Sequence, residues 1–203
     1  MNLDEIRVTY SGLISFLGGI ISIVTGITAT LIITRTLTPE EYGTWGLIIT
    51  LIVYVSMINP IISYWSTRDT ARNIESGKSA VLSTMLLSVG GASLYILISY
   101  FMGYYTDVNQ SILLTGVILV PVIFLNGILT AINLGWKPHA ISYGTLAYGI
   151  SSIPLLLIFL YYPRVLSSYI PEIPIISSSS AVIFGIFFAN IISIIVLFYL
   201  DSF

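Results

Sequence analysis

An all-α, polytopic membrane fold is what this sequence predicts, and three observations carry the prediction. Hydrophobic residues make up 56% of the 203 and charged residues 8%, with a mean hydropathy of +0.99, so the chain lacks the polar surface a soluble domain needs. The apolar residues fall into six runs, each near the roughly 20 residues that a helix needs to cross about 30 Å of hydrocarbon. Within these runs Ile, Leu, Val, Ser and Gly follow one another without the period-2 alternation of barrel strands, which leaves helices as the spanning solution.

The first predicted span, 10–34, follows Asp4, Glu5 and Arg7. It is too long for a signal-peptide core and no small-residue cleavage site follows it, so it reads as uncleaved. Ser11, Ser15, Gly18, Ser22, Thr25 and Ala29 recur at spacings of four and three and share one face, with Gly19, Gly26 and Thr30 beside it. Such a face either lets another helix approach closely or borders a water-filled groove. Thr38 as N-cap, Pro39 at the first helical position and Glu40 and Glu41 in the first turn open the second span, 42–64. That span contains Asn59 and Pro60. A charged segment with Arg68, Asp69, Arg72, Glu75 and Lys78 leads into the third span, 79–102; Arg68, Arg72 and Glu75 share a face if the second helix continues that far.

The fourth span, 112–134, carries Pro121, Asn126 and Asn133, the two asparagines seven apart and hence on one face. Lys137, Pro138 and His139 turn the chain into the fifth span, 141–160, which contains Pro154. Kinks are expected at Pro60, Pro121 and Pro154. From Tyr161 to Ser180 the chain carries Pro163, Pro171 and Pro174 and then a serine run, which predicts an irregular external loop or in part an interfacial helix. The sixth span is 181–200. Tyrosines and tryptophans gather near the span ends, where amphipathic rings sit at the membrane interface.

Arg7, Arg68, Arg72, Lys78 and Lys137 fall on one side of the six spans and Arg35 and Arg164 on the other. The positive-inside rule therefore puts the N-terminus and the Trp65–Lys78 segment in the cytoplasm. No Asp, Glu or Lys lies deep in a span, and there is no cysteine, no phosphate-binding glycine loop and no paired-aspartate cluster. No catalytic residue, metal site, cofactor or nucleic-acid partner is expected, and the lone His139 reads as a surface residue.

The residues left to meet a ligand are cations at the span ends and amides within them. Arg35 leaves the first helix where its guanidinium can grip phosphate oxygens in bidentate fashion, or snorkel and pair with Glu40 or Glu41. Arg68 and Arg72 either anchor topology against anionic headgroups or form a cationic vestibule. Asn59, Asn126 and Asn133 either join helices or line a cavity.

The loop Ile-Thr-Arg-Thr-Leu-Thr-Pro-Glu-Glu-Tyr-Gly-Thr-Trp-Gly, from Ile33 to Gly46, resembles the first loop of polysaccharide and oligosaccharide flippases of the multidrug/oligosaccharidyl-lipid/polysaccharide exporter superfamily. The likeness continues in Tyr64–Arg72 and in Ile128–Ala140, and so covers most of spans one to five. It implies one lobe of a two-lobed transporter, the partner lobe being either the C-terminal half of a longer protein or a second copy. It also implies a lipid-linked oligosaccharide as substrate, flipped by alternating access in the plasma membrane, with membrane lipids around it. Arg35 would meet the headgroup at the external mouth, Arg68 and Arg72 at the cytoplasmic one, with Asn59, Asn126 and Asn133 as a hydrogen-bonding wall. The rival expectation is a non-transporting membrane assembly subunit. Polar residues converging on one cavity favour the flippase, and polar residues scattered over packed sites favour the rival.

Overall fold

In the computed structural model, residues 3–106, 108–169 and 178–201 are described, with side-chain surroundings for 12–106, 108–162 and 178–200. They form α1 (Leu3–Thr36), α2 (Pro39–Ser56), α3 (Asn59–Ala71), α4 (Gly77–Tyr105), α5 (Gln110–Thr115), α6 (Leu119–Trp136), α7 (Pro138–Tyr169) and α8 (Ser178–Asp201). A 3-10 turn, Gly116–Ile118, links α5 to α6, and the described residues contain no strand. Among the described residues, five tracts are long and apolar enough to cross a membrane: Gly12–Thr36, Gly77–Tyr105, Gln110–Trp136, Pro138–Tyr162 and Ser178–Leu200. The bent pair α2 and α3 makes a sixth if it is one span. The protein is thus an all-helical, multi-pass membrane protein by the length and composition of its helices.

Thr38 caps α2 as expected. Its hydroxyl accepts from the Glu41 amide at 3.3 Å while the Glu41 carboxylate accepts from the Thr38 amide at 3.0 Å, a reciprocal capping box. The second predicted span, however, is not one straight helix: α2 stops at Ser56, α3 starts at Asn59, and their axes differ by 51°. Pro60 explains the break, because it has no amide to offer the Ser56 carbonyl and its ring would collide there. Pro121 acts in the same way on Val117, inside the 3-10 turn that precedes α6. Pro154 does not interrupt its helix. α7 runs on through Pro163 to Tyr169, so the loop expected from Tyr161 is helical at its start, and the rest of it, 170–177, lies outside the described residues. A membrane-embedded helix can absorb a missing hydrogen bond that would end a helix in water.

α3 ends one turn earlier than a shared face for Arg68, Arg72 and Glu75 would need. Asn73 takes a positive φ of 58°, and the amides of Ile74 and Asn73 return to the carbonyls of Asp69 and Thr70, each at 3.0 Å. This αL cap ends α3 before Glu75, which lies in the connection to α4 rather than on the helix face of Arg68.

Packing centres on α6, which touches α3, α4, α7 and α8. The main core joins Ile48, Leu51, Ile52 and Val55 of α2, Tyr95 of α4, Leu113 of α5, Leu119, Val120 and Phe124 of α6 and Ile183 of α8. Tyr95 is sealed there with its hydroxyl donating to the Leu113 carbonyl at 2.8 Å, over a Gly116 whose missing side chain leaves it room. α1 is attached differently, mainly along α7. Its small-residue face makes that contact: the Ser142 hydroxyl donates to Ser15 at 3.1 Å, Gly18 lies against Ser142, and Thr25 lies against Gly149. Close approach, rather than a groove border, is therefore the use of Ser15, Gly18 and Thr25. The flank with Phe16, Ile20, Ile23 and Ile27 stays exposed.

Candidate functional site

α6 presents polar residues to two adjacent openings. The first, about 480 Å³, lies between α2, α6, α7 and α8 and is lined by Trp45, Asn126, Thr130, Thr145, Tyr148, Asn190 and Ser193 among apolar neighbours. The second, about 680 Å³, lies between α3 and α6 and is lined by Ser56, Asn59, Ser63, Thr67, Arg68 and Thr130 among others. Ile123 and Thr130 belong to both, so the openings adjoin along a single strip of α6.

The first opening is organised by a polarised chain of hydrogen bonds. Thr130 Oγ1 donates to Asn126 Oδ1 at 3.4 Å, Asn126 Nδ2 donates to Asn190 Oδ1 at 3.0 Å, and Asn190 Nδ2 donates to the Ile186 carbonyl at 2.9 Å. An amide between two helices fixes their register and leaves further donor and acceptor sites for whatever enters. The Trp45 indole N–H lies at the same wall, buried and without a hydrogen-bond partner in the described structure. Ser193 is tied instead to the Gly144 carbonyl at 3.0 Å, which draws α8 onto α7. Among the described residues no carboxylate, lysine or arginine lines this opening, and those that do can hydrogen-bond a neutral polar group without imposing charge.

The second opening adds charge. Arg68 is exposed at its rim, 5.4 Å over the Trp65 ring, a geometry in which the ring face supports the cation. Asn59 is buried at 8% exposure, its Nδ2 pressed against Gly127 of α6 and its Oδ1 without a partner. Any side chain at position 127 would displace that amide. Thr67 bridges the helices by donating to the Ala131 carbonyl at 2.9 Å.

Of the six residues expected to meet a ligand, Asn59, Arg68 and Asn126 come together on this strip. Asn133 does not. It is fully buried two turns along α6 from Asn126, with Nδ2 donating to the Leu129 carbonyl at 2.9 Å and reaching the Leu197 carbonyl at 3.5 Å. It joins α6 to α8. Arg72 caps α3, exposed and outside both openings, and Arg35 is exposed at the far end of α1. Neither Glu40 nor Glu41 pairs with Arg35 among the described residues; the Glu41 carboxylate is taken by its own cap.

Sequence reasoning passed over Asn190, Thr130, Tyr148 and Trp45. Asn190 carries the same signal as Asn126, an amide near the middle of an apolar span, and could have been found by it. Trp45 reads as an interface aromatic until α2 is seen turned toward α6. Comparison with protein-family models, with curated proteins and with solved structures finds no match to this chain.

Proposed function

We propose that the chain is a six-span lobe of a transporter that flips a polyprenyl phosphate- or pyrophosphate-linked oligosaccharide across the plasma membrane, with its N-terminus in the cytoplasm. The single observation that carries this reading is the convergence of Asn126, Asn190, Thr130, Asn59 and Arg68 on one open strip of α6. A sugar headgroup offers many hydroxyls and one anionic linkage. Stranding these unpaired in hydrocarbon costs many kcal/mol, and a wall of amides and hydroxyls with a guanidinium at one end lowers that cost. The resemblance of the Ile33–Gly46 loop to oligosaccharide flippases points to the same substrate class.

In this reading the anionic linkage meets Arg68 first, on the side where the basic residues concentrate, and the sugar moves along Asn59, Thr130 and Asn126 while the lipid tail stays in the bilayer. Arg72 supplies long-range attraction and Arg35 receives the headgroup at the opposite mouth. The break between α2 and α3 is the joint about which one wall of the path tilts. The facing wall is a second six-helix lobe, in the same polypeptide or in a second copy.

A fluorescent, polyprenyl-linked oligosaccharide in proteoliposomes tests this. Headgroups that become inaccessible to an external lectin or quencher at a rate dependent on the protein support transport. An unchanged rate on adding the protein together with its partner lobe rejects it. The assembly-subunit reading rests on a different observation, the exposed apolar flank of α1, and gains if the protein co-purifies with other membrane proteins yet moves no headgroup.

A further inference from the structure

The other side of α6 carries a second kind of opening, which the transport path does not use. Between α4 and α8 lies a groove of about 790 Å³, floored by Leu129 and Ile132 and walled by Val81, Leu82 and Phe198. Its interior is hydrocarbon in character. Its mouth is not: Glu75 and Lys78 both line it, at the membrane end where α3 turns into α4. Neither makes a salt bridge or hydrogen bond among the described residues, although three positions separate them. Glu75 follows the αL turn at Asn73, in the connection between α3 and α4.

An apolar trough opening onto one cation and one anion matches a ligand with a tail, an anionic group and a cationic group. We propose that this groove holds a resident aminophospholipid, with its phosphate at Lys78, its primary ammonium at Glu75 and an acyl chain along Val81, Leu82 and Phe198. A purely anionic lipid would set its charge against Glu75, and a choline headgroup has no N–H to donate to that carboxylate. Trp136, the last residue of α6, also lines the groove, and tryptophan is a residue type that favours the headgroup region. The bound lipid would fill the gap between α4 and α8 and stiffen the flank of α6 opposite the polar strip.

The test is retention. The protein is reconstituted in vesicles of equal parts phosphatidylcholine, phosphatidylethanolamine and phosphatidylglycerol, extracted in mild detergent, and its bound lipid is counted by native mass spectrometry. Phosphatidylethanolamine should be retained over both others. Lys78→Gln should lower phospholipid retention about fivefold, the worth of one lysine near a membrane surface. Glu75→Gln should keep phospholipid but lose the preference for ethanolamine over choline. Both positions are exposed, so the variants should fold like the wild type, as gel filtration and helical content will check. Equal retention of the three lipids, a preference for phosphatidylglycerol, or full retention in folded Lys78→Gln would overturn the proposal.

Discussion

Asn126 and Asn133 are seven residues apart on α6 and both turn toward α8, yet their surroundings differ. Asn126 meets another side chain, Asn190, at the edge of an opening that also holds Thr130, Thr145 and Tyr148. Asn133 meets only backbone, is shut off from solvent, and keeps its Oδ1 without a partner. One seam therefore has an open half and a closed half. The difference comes from what else approaches: Trp45 and Ile49 of α2 line the opening beside Asn126, whereas Asn133 is fully buried with its amide against the Leu129 and Leu197 carbonyls. The same residue type on the same face borders an opening in one place and joins helices in the other.

The largest effect expected is one that removes the strip altogether. Gly135→Val would drive a Cβ to 2.6 Å from the Thr67 carbonyl and 3.1 Å from the Ala71 amide. Backbone cannot swing aside as a side chain can, so α3 must separate from α6 at a cost of about 3 kcal/mol, visible as a lowered midpoint in thermal unfolding in detergent. Next comes Arg68→Gln, which should leave the fold intact and slow headgroup transfer about thirtyfold, as expected for one charge-assisted hydrogen bond worth about 2 kcal/mol.

The comparison itself is broken or sharpened by the asparagine pair. Asn126→Leu should slow transfer about fivefold through loss of one neutral hydrogen bond of about 1 kcal/mol, while barely moving the unfolding midpoint. Asn133→Leu should change neither the transfer rate nor the unfolding midpoint appreciably. It forfeits an interhelical bond worth about 0.6 kcal/mol in a membrane protein and in return buries no orphan oxygen. Equal transport defects in the two variants would mean that the seam is uniform along its length.

How far these features were legible in the sequence depends on whether they are local. The Thr38 cap and the irregularities at Pro60 and Pro121 follow from residues within one turn of each other, and the sequence placed them as a cap and two kinks, though not as a full break and a 3-10 turn. The small-residue face of α1 was legible as a face, but only its contact with Ser142 and Gly149 decides between tight packing and a groove. Pro163 misled in part: α7 runs on through it to Tyr169, so of the two expectations for this segment the irregular loop does not hold at its start. The partition of the asparagines could not be read at all. It depends on where α2 leans and where Leu197 falls, and neither is encoded near Asn126 or Asn133.

The chain contains no cysteine, so single cysteines report on single positions. The most direct measurement is the reaction of a membrane-impermeant thiol reagent with cysteines placed at Ser63, Asn126 and Thr130 along the strip, and at Asn133 and Thr84 in the packed interior, in the membrane-embedded protein. The hydrated strip predicts that the first three react, and that lipid-linked oligosaccharide protects them, while the last two stay silent. Silence at all five positions, or equal labelling at Asn126 and Asn133, would contradict it.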